Sequence, residues 1–141
     1  MMKGAESFNQ SISSWNTSRV RRMDSMFEDA ASFNGDLPWN TGRLVSMESI
    51  FRHAIAFNGD VSAWTVGKVT SMRSVFEGAV VFNNDLSSWN TNSVEDMSFM
   101  MKGATSFNQS VSSLNTSRVR WMDSMFEGAI SFNSDLPWNT A

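Results

Sequence analysis

The 141-residue sequence contains no cysteine and no tyrosine, one histidine and two prolines. Without cysteine there is no disulfide framework, thiol nucleophile or Cys-ligated zinc, and cysteine usage gives no indication of redox compartment. A single histidine, His53, leaves one imidazole in the inventory of general bases. Charge is scarce too: 11 Lys and Arg against 14 Asp and Glu make 18% of the chain and a net charge of −3. That balance lacks the basic excess of a nucleic-acid binder. No apolar run approaches the ~18 residues of a membrane span. The gap is filled by uncharged polarity, 24 Ser and 13 Asn, which suit turns, caps and side-chain hydrogen bonds. Apolar residues, at 41%, are sufficient for a packed core.

What is present is a repeat. Phe-Asn recurs at Phe8, Phe33, Phe57, Phe82, Phe107 and Phe132, at spacings of 25, 24, 25, 25 and 25 residues. The first unit reads FNQSISSWNTSRVRRMDSMFEDAAS and the fourth FNNDLSSWNTNSVEDMSFMMKGATS. The chain divides into a partial repeat 1–7, full repeats 8–32, 33–56, 57–81, 82–106 and 107–131, and a partial repeat 132–141. A longer period overlies these, since Met1-Met2-Lys3-Gly4-Ala5 matches Met100-Met101-Lys102-Gly103-Ala104 at an offset of 99. The chain is expected to be a segment of a longer array, and residues 1–7 do not have the layout of a signal peptide.

Within a unit the apolar spacing changes character. Val20, Met23, Phe27 and Ala30, with Met26 beside them, fall at the offsets of one helical stripe. Thr17 or Ser18 can cap such a helix, and Gly78, Gly103 and Gly128 sit where it should stop. Asp36-Leu37-Pro38-Trp39 and Asp85-Leu86-Ser87-Ser88-Trp89 suggest a short strand between turn formers. The predicted fold class is therefore an α/β repeat protein: a right-handed leucine-rich-repeat-like solenoid with one short helix and one short strand per ~25 residues. In the third unit the expected core is Phe57, Val61, Trp64, Val69, Met72, Val75, Phe76 and Ala79. A lone unit cannot bury both its flat faces, so stability must come from stacking, and uncapped ends predict end-to-end self-association. Arg19, Arg21 and Arg22 at the start of the predicted helix, and Glu28-Asp29 near its end, run against the helix dipole.

The pattern resembles the BspA-like leucine-rich-repeat surface proteins, in the branch with V-T-x-M-x-x-M-F-x-x-A-x-x-F-N-x-D-L-S-x-W-N-T repeats. The resemblance is carried by Val69-Thr70-Ser71-Met72, Val75-Phe76, Ala79, Phe82-Asn83, Asp85-Leu86-Ser87 and Trp89-Asn90-Thr91 and their equivalents over the whole chain. Departures are Leu114 for Trp, Met101 for Phe, Thr65-Val66 for Asn-Thr, Ser11 and Ser110 for Asp, and one-residue deletions around Pro38 and Pro137. The resemblance implies extracellular or cell-surface display, adhesion and protein binding. It implies no catalytic residue and no cofactor.

Candidate sites follow from the columns that the repeat creates. Asp36, Asp60, Asp85 and Asp135 recur with Asn34, Asn58 and Asn83 nearby, an oxygen-rich set that could hold Ca²⁺. The competing reading, preferred because Ser11 and Ser110 interrupt the column, is that Asn and Asp tie turns to their own backbone. Trp15, Trp39, Trp64, Trp89 and Trp138 are read as a core ladder, since Leu114 replaces one of them, with a sugar-stacking platform as the alternative. Trp121 takes the slot of Arg22 and points toward solvent, where a large aromatic reads either as a partner-binding anchor or as a lid on the adjacent repeat. Asn16-Thr17, Asn40-Thr41, Asn90-Thr91, Asn115-Thr116 and Asn139-Thr140 are expected to satisfy backbone groups at a corner; Thr rows can also order water. Asn9, Asn16, Asn108 and Asn115 begin N-x-S/T sequons. His53 beside Arg52 is read as solvated. The sequence thus points to a non-catalytic scaffold for protein–protein recognition or adhesion, binding through residues such as Trp121, Asp36, Asp60 and Asp85. The alternative is a glycan-binding or Ca²⁺-dependent module.

Overall fold

The computed structural model describes residues 1–138. The last member of the Asn-Thr column, Asn139-Thr140, lies outside the described residues. Equivalent residues of successive units stand directly over one another. The six Phe-Asn rings form one row, Phe8, Phe33, Phe57, Phe82, Phe107 and Phe132, with centroids 5.9 to 6.1 Å apart. A second row, Phe27, Phe51 and Phe76, stacks at 5.5 and 5.6 Å. A third, Trp15, Trp39, Trp64 and Trp89, stacks at 6.2, 6.3 and 6.5 Å. Rows also meet inside a coil, as where Phe51 lies 3.8 Å from Phe57. Offset stacking of this kind adds to the burial of ring surface.

The core is one continuous column. All eight positions expected in the third unit are buried, and Val66, which replaces the usual Thr, joins them. Trp39, Trp64 and Trp89 are buried, as is Leu114 in the same slot. Burying an indole requires a partner for its N–H. Each finds one in the preceding coil: Trp39 donates to the Ile12 carbonyl at 3.1 Å, Trp64 to Leu37 at 2.8 Å and Trp89 to Val61 at 3.1 Å.

The expected helix and strand are not there. Among the described residues there is no helix, and regular pairing is confined to isolated parallel bridges, Arg22 with Ser46, Ser71 with Asp96 and Asp96 with Trp121. The α/β solenoid of leucine-rich-repeat type is thereby contradicted. The reason lies in the backbone of the segment that mimicked a helix. Ser25 and Asp29 in the first unit, and Ser49 and His53 in the second, adopt φ of 53 to 60°, a left-handed conformation that no right-handed helix contains. Alternate amides therefore point different ways. Met26, Glu28 and Ala30 donate within their unit to Met23, Ser25 and Phe27, closing a chain of overlapping turns. Met23, Ser25, Phe27 and Asp29 instead donate to Ser46, Glu48, Ile50 and Arg52 of the next coil.

Overlapping turns place Met23, Met26, Phe27 and Ala30 inside, which is the spacing of a helical stripe without the helix. The glycines read as helix stops do adopt positive φ, Gly78, Gly103 and Gly128 at 68 to 72°, but they end a run of turns. With no helix, the apparent dipole conflict of Arg19, Arg21 and Arg22 disappears. The predicted strand segments are also turns: Trp64 and Trp89 donate to Val61 and Leu86 three residues back. At the deletion, Trp39 donates to Leu37 only two residues back, at 2.7 Å across Pro38. One tighter turn removes one residue and leaves the indole in its row.

Candidate functional site

Much of the backbone is engaged within and between coils, and the side chains that repeat along the edges make up the surface available for contact. Two polar columns are spent on structure. In the Phe-Asn column each Asn accepts from the backbone N–H of the next one: Asn34 donates to Asn9 Oδ1 at 3.0 Å, Asn58 to Asn34 at 2.7 Å, and Asn83, Asn108 and Asn133 continue at 2.9 Å. In the Asn-Thr column Asn16, Asn40, Asn90 and Asn115 each accept from the amide two residues on. Thr17 and Thr91 donate across coils to the carbonyls of Asn40 and Asn115 at 3.0 and 2.9 Å.

The Asp column is used similarly. Asp60 and Asp85 accept the amides of Ser62 and Ser87 at 2.8 Å. These backbone bonds, followed by those from the serine hydroxyls, hold both carboxyls below the usual aspartate range. Asp36 accepts the amide of Asp60 at 3.1 Å, so neighbouring members of the column do come together. Among the described residues no three His, Asp or Glu side chains gather as a metal would require.

Trp121 is half-exposed, 51%, in the same slot as Arg22, Ser46, Ser71 and Asp96, and its carbonyl accepts the amide of Met97. His53 lies 3.0 Å from Asp29 through Nδ1, with its ring half-exposed, so it is paired across coils as well as solvated.

Two features escaped the sequence reading. The first is a ladder of alternating charge at the slot five residues before each Phe-Asn: Lys3, Glu28, Arg52, Glu77, Lys102 and Glu127. Lys3 lies 2.7 Å from Glu28, which is 3.2 Å from Arg52; Lys102 lies 3.1 Å from Glu127. Arg52 Nε is also 3.2 Å from Glu77, near enough for attraction though not aligned as a hydrogen bond. Glu28 is buried. Its burial favours the neutral acid, but hydrogen bonds from Lys3 and Ser25 and the charges of Lys3 and Arg52 outweigh it and hold the carboxyl below the ordinary glutamate range. Reading column by column every 24 or 25 residues would have revealed the alternation.

The second is a basic column at the third residue after the Asn-Thr asparagine: Arg19, Arg43, Lys68 and Arg118, with Ser93 breaking it. Arg21, Arg43, Val45 and Lys68 line a shallow groove of about 240 Å³. A larger opening of about 580 Å³ lies beside the first coil, lined by Met1, Trp15, Val20, Met23 and Met26 among others. Among the described residues no helix is long and apolar enough to cross a membrane.

The family model described as "Mycoplasma protein of unknown function, DUF285" matches residues 1–79 and 46–141. Together these matches span the chain, which therefore belongs to that family. The match is compatible with the resemblance to BspA-like repeat proteins. No curated protein and no solved structure matches the chain.

Proposed function

We propose that this member of the DUF285 family is a non-catalytic recognition scaffold, an element of a surface-displayed or secreted array that binds protein partners, in kinship with the BspA-like surface proteins. One observation carries the reading: units in register present one side chain per coil in straight columns, while the Phe, Trp and Asn rows commit the interior to holding that register. Such a surface suits an extended partner more than a small molecule. Trp121, exposed in a slot otherwise held by Arg22, Ser46, Ser71 and Asp96, is the one aromatic in its column and the anchor of choice. The apolar opening with Trp15 and Val20 supports packing of a further coil of the same kind, from the same chain or a second copy.

The test is a binding screen of the immobilised chain against an array of cell-surface and extracellular ectodomains. The reading expects a saturable protein partner whose affinity falls at least tenfold in Trp121→Arg, a change with precedent at Arg22 and so compatible with folding. An empty screen, together with turnover in a panel of hydrolase substrates, would overturn it.

A further inference from the structure

We propose that the edge carrying Arg19, Arg21, Arg43 and Lys68 binds a linear acidic polysaccharide, with sulfates or carboxylates of successive sugars meeting successive coils. This goes beyond the protein-binding reading and concerns different residues. Its starting point is how the cations divide. Lys3, Arg22, Arg52, Arg73, Lys102 and Arg120 each lie within 4 Å of a carboxylate, on Glu28, Asp24, Glu28 and Glu77, Asp96, Glu127 and Glu95. Arg19, Arg21, Arg43, Lys68 and Arg118 have no such partner among the described residues, and four of the five fall in three consecutive coils at one edge. A chain of net charge −3 that neutralises its other cations and leaves these exposed has a concentrated positive strip, which attracts and orients anions.

The shape is that of a trough, with Arg21, Arg43 and Lys68 around Val45. The backbone beneath is already engaged: Val45 and Ser46 both donate to the Arg21 carbonyl, and the Val45 carbonyl accepts from Thr70. A peptide seeking to add a strand finds no regular edge there, since pairing is limited to single bridges such as Arg22 with Ser46. What remains available is guanidinium and ammonium heads above one aliphatic side chain. Arg grips carboxylate and sulfate bidentately and Lys supplies a point charge. Equivalent rings of successive coils stand 5.5 to 6.5 Å apart, a spacing on the scale of one pyranose unit of an extended chain, so a charged sugar can meet each coil in turn. The strip ends where Ser93 and Glu95 replace its cations, which limits the site to about three coils.

Calorimetric titration of the full chain against heparin-type sulfated oligosaccharides and polyuronate oligosaccharides tests this, with poly-glutamate, single-stranded DNA and anionic phospholipid vesicles run in parallel. The expected result is saturable binding of an acidic oligosaccharide, weaker as salt is raised, and reduced at least tenfold in the Arg43→Ser/Lys68→Ser double variant. Ser93 shows that a coil accepts serine at this slot, so the melting temperature should hold; Arg73→Ser, which removes a paired cation, should leave the affinity unchanged. The proposal is overturned if no acidic oligosaccharide binds, if the double variant binds as the parent does, or if poly-glutamate, DNA or vesicles bind more tightly than the oligosaccharides. Because the protein-binding test turns on Trp121 in a different coil, either reading can fail while the other stands.

Discussion

The backbone N–H of Asn58 donates to Asn34 Oδ1 at 2.7 Å, and Asn58 in turn accepts from Asn83 at 2.9 Å. Each asparagine thus closes one coil onto the next, at a point where turns leave backbone amides without a strand partner. Asn84 Nδ2 adds a bond to the Asn58 carbonyl at 2.8 Å. Replacing Asn58 with Ala strips the acceptor from the Asn83 amide. The expected loss is roughly 1–3 kcal/mol, read from chemical denaturation, with no change in the slope against denaturant.

Glu28 governs the pH response of the charge ladder. Its carboxyl, with those of Asp60, Asp85 and Glu127, is held below the ordinary range. A group depressed in the folded state contributes stability that is complete above its unfolded value and is lost as pH falls through its lowered folded value. The melting temperature should therefore be flat near neutrality and decline as pH drops into and below the ordinary carboxylate range. Glu28→Gln should lower it at neutral pH and shallow the acid decline, since Lys3 then loses its carboxylate and Arg52 keeps only Glu77. An identical acid decline in the variant would exclude Glu28 as a contributor.

Gly59 is required by proximity. A Cβ there would clash with the Gly35 carbonyl oxygen and come 2.9 Å from the Phe57 ring. Since backbone cannot yield as a flexible side chain can, Gly59→Ala should destabilise by about 1–3 kcal/mol. At Gly42, where the nearest atom is Asn40 Oδ1 at 3.4 Å, the same change should cost at most about 0.5 kcal/mol. Thermal melting of the two variants side by side checks the contrast.

Met101 interrupts the row Phe27, Phe51 and Phe76, which resumes at Phe126. It is buried, 1% exposed. Met101→Phe should restore ring-on-ring packing and raise stability by about 0.5–1.5 kcal/mol; a lower melting temperature would mean that the Met101 site cannot hold a ring.

Much of this arrangement was legible in the sequence, because the rows are rows of identical letters. The Phe-Asn period placed the stacking, and the eight core positions of the third unit were read correctly from their apolarity. The turn-binding role preferred for the Asp column, on the ground that Ser11 and Ser110 interrupt it, is found at Asp60 and Asp85, which accept the amides of Ser62 and Ser87. The secondary structure was not legible. Met23, Met26, Phe27 and Ala30 have one spacing whether wound as a helix or folded as overlapping turns, and what separates the two is the left-handed backbone at Ser25 and Asp29, residues that seldom announce positive φ as glycine does. The charge ladder was hidden for another reason. Lys3, Glu28 and Arg52 differ from unit to unit, so a search for sameness passes over a column whose rule is alternation.

The claim that the repeats are coils of turns, bonded unit to unit, is tested most directly by NMR across residues 23–30. The account predicts Cα secondary shifts that never form a helical run, with reversals at Ser25 and Asp29, and amide contacts from Phe27 to Ile50 of the next coil. An unbroken helical run with contacts three residues apart throughout, and none to the neighbouring unit, would contradict it.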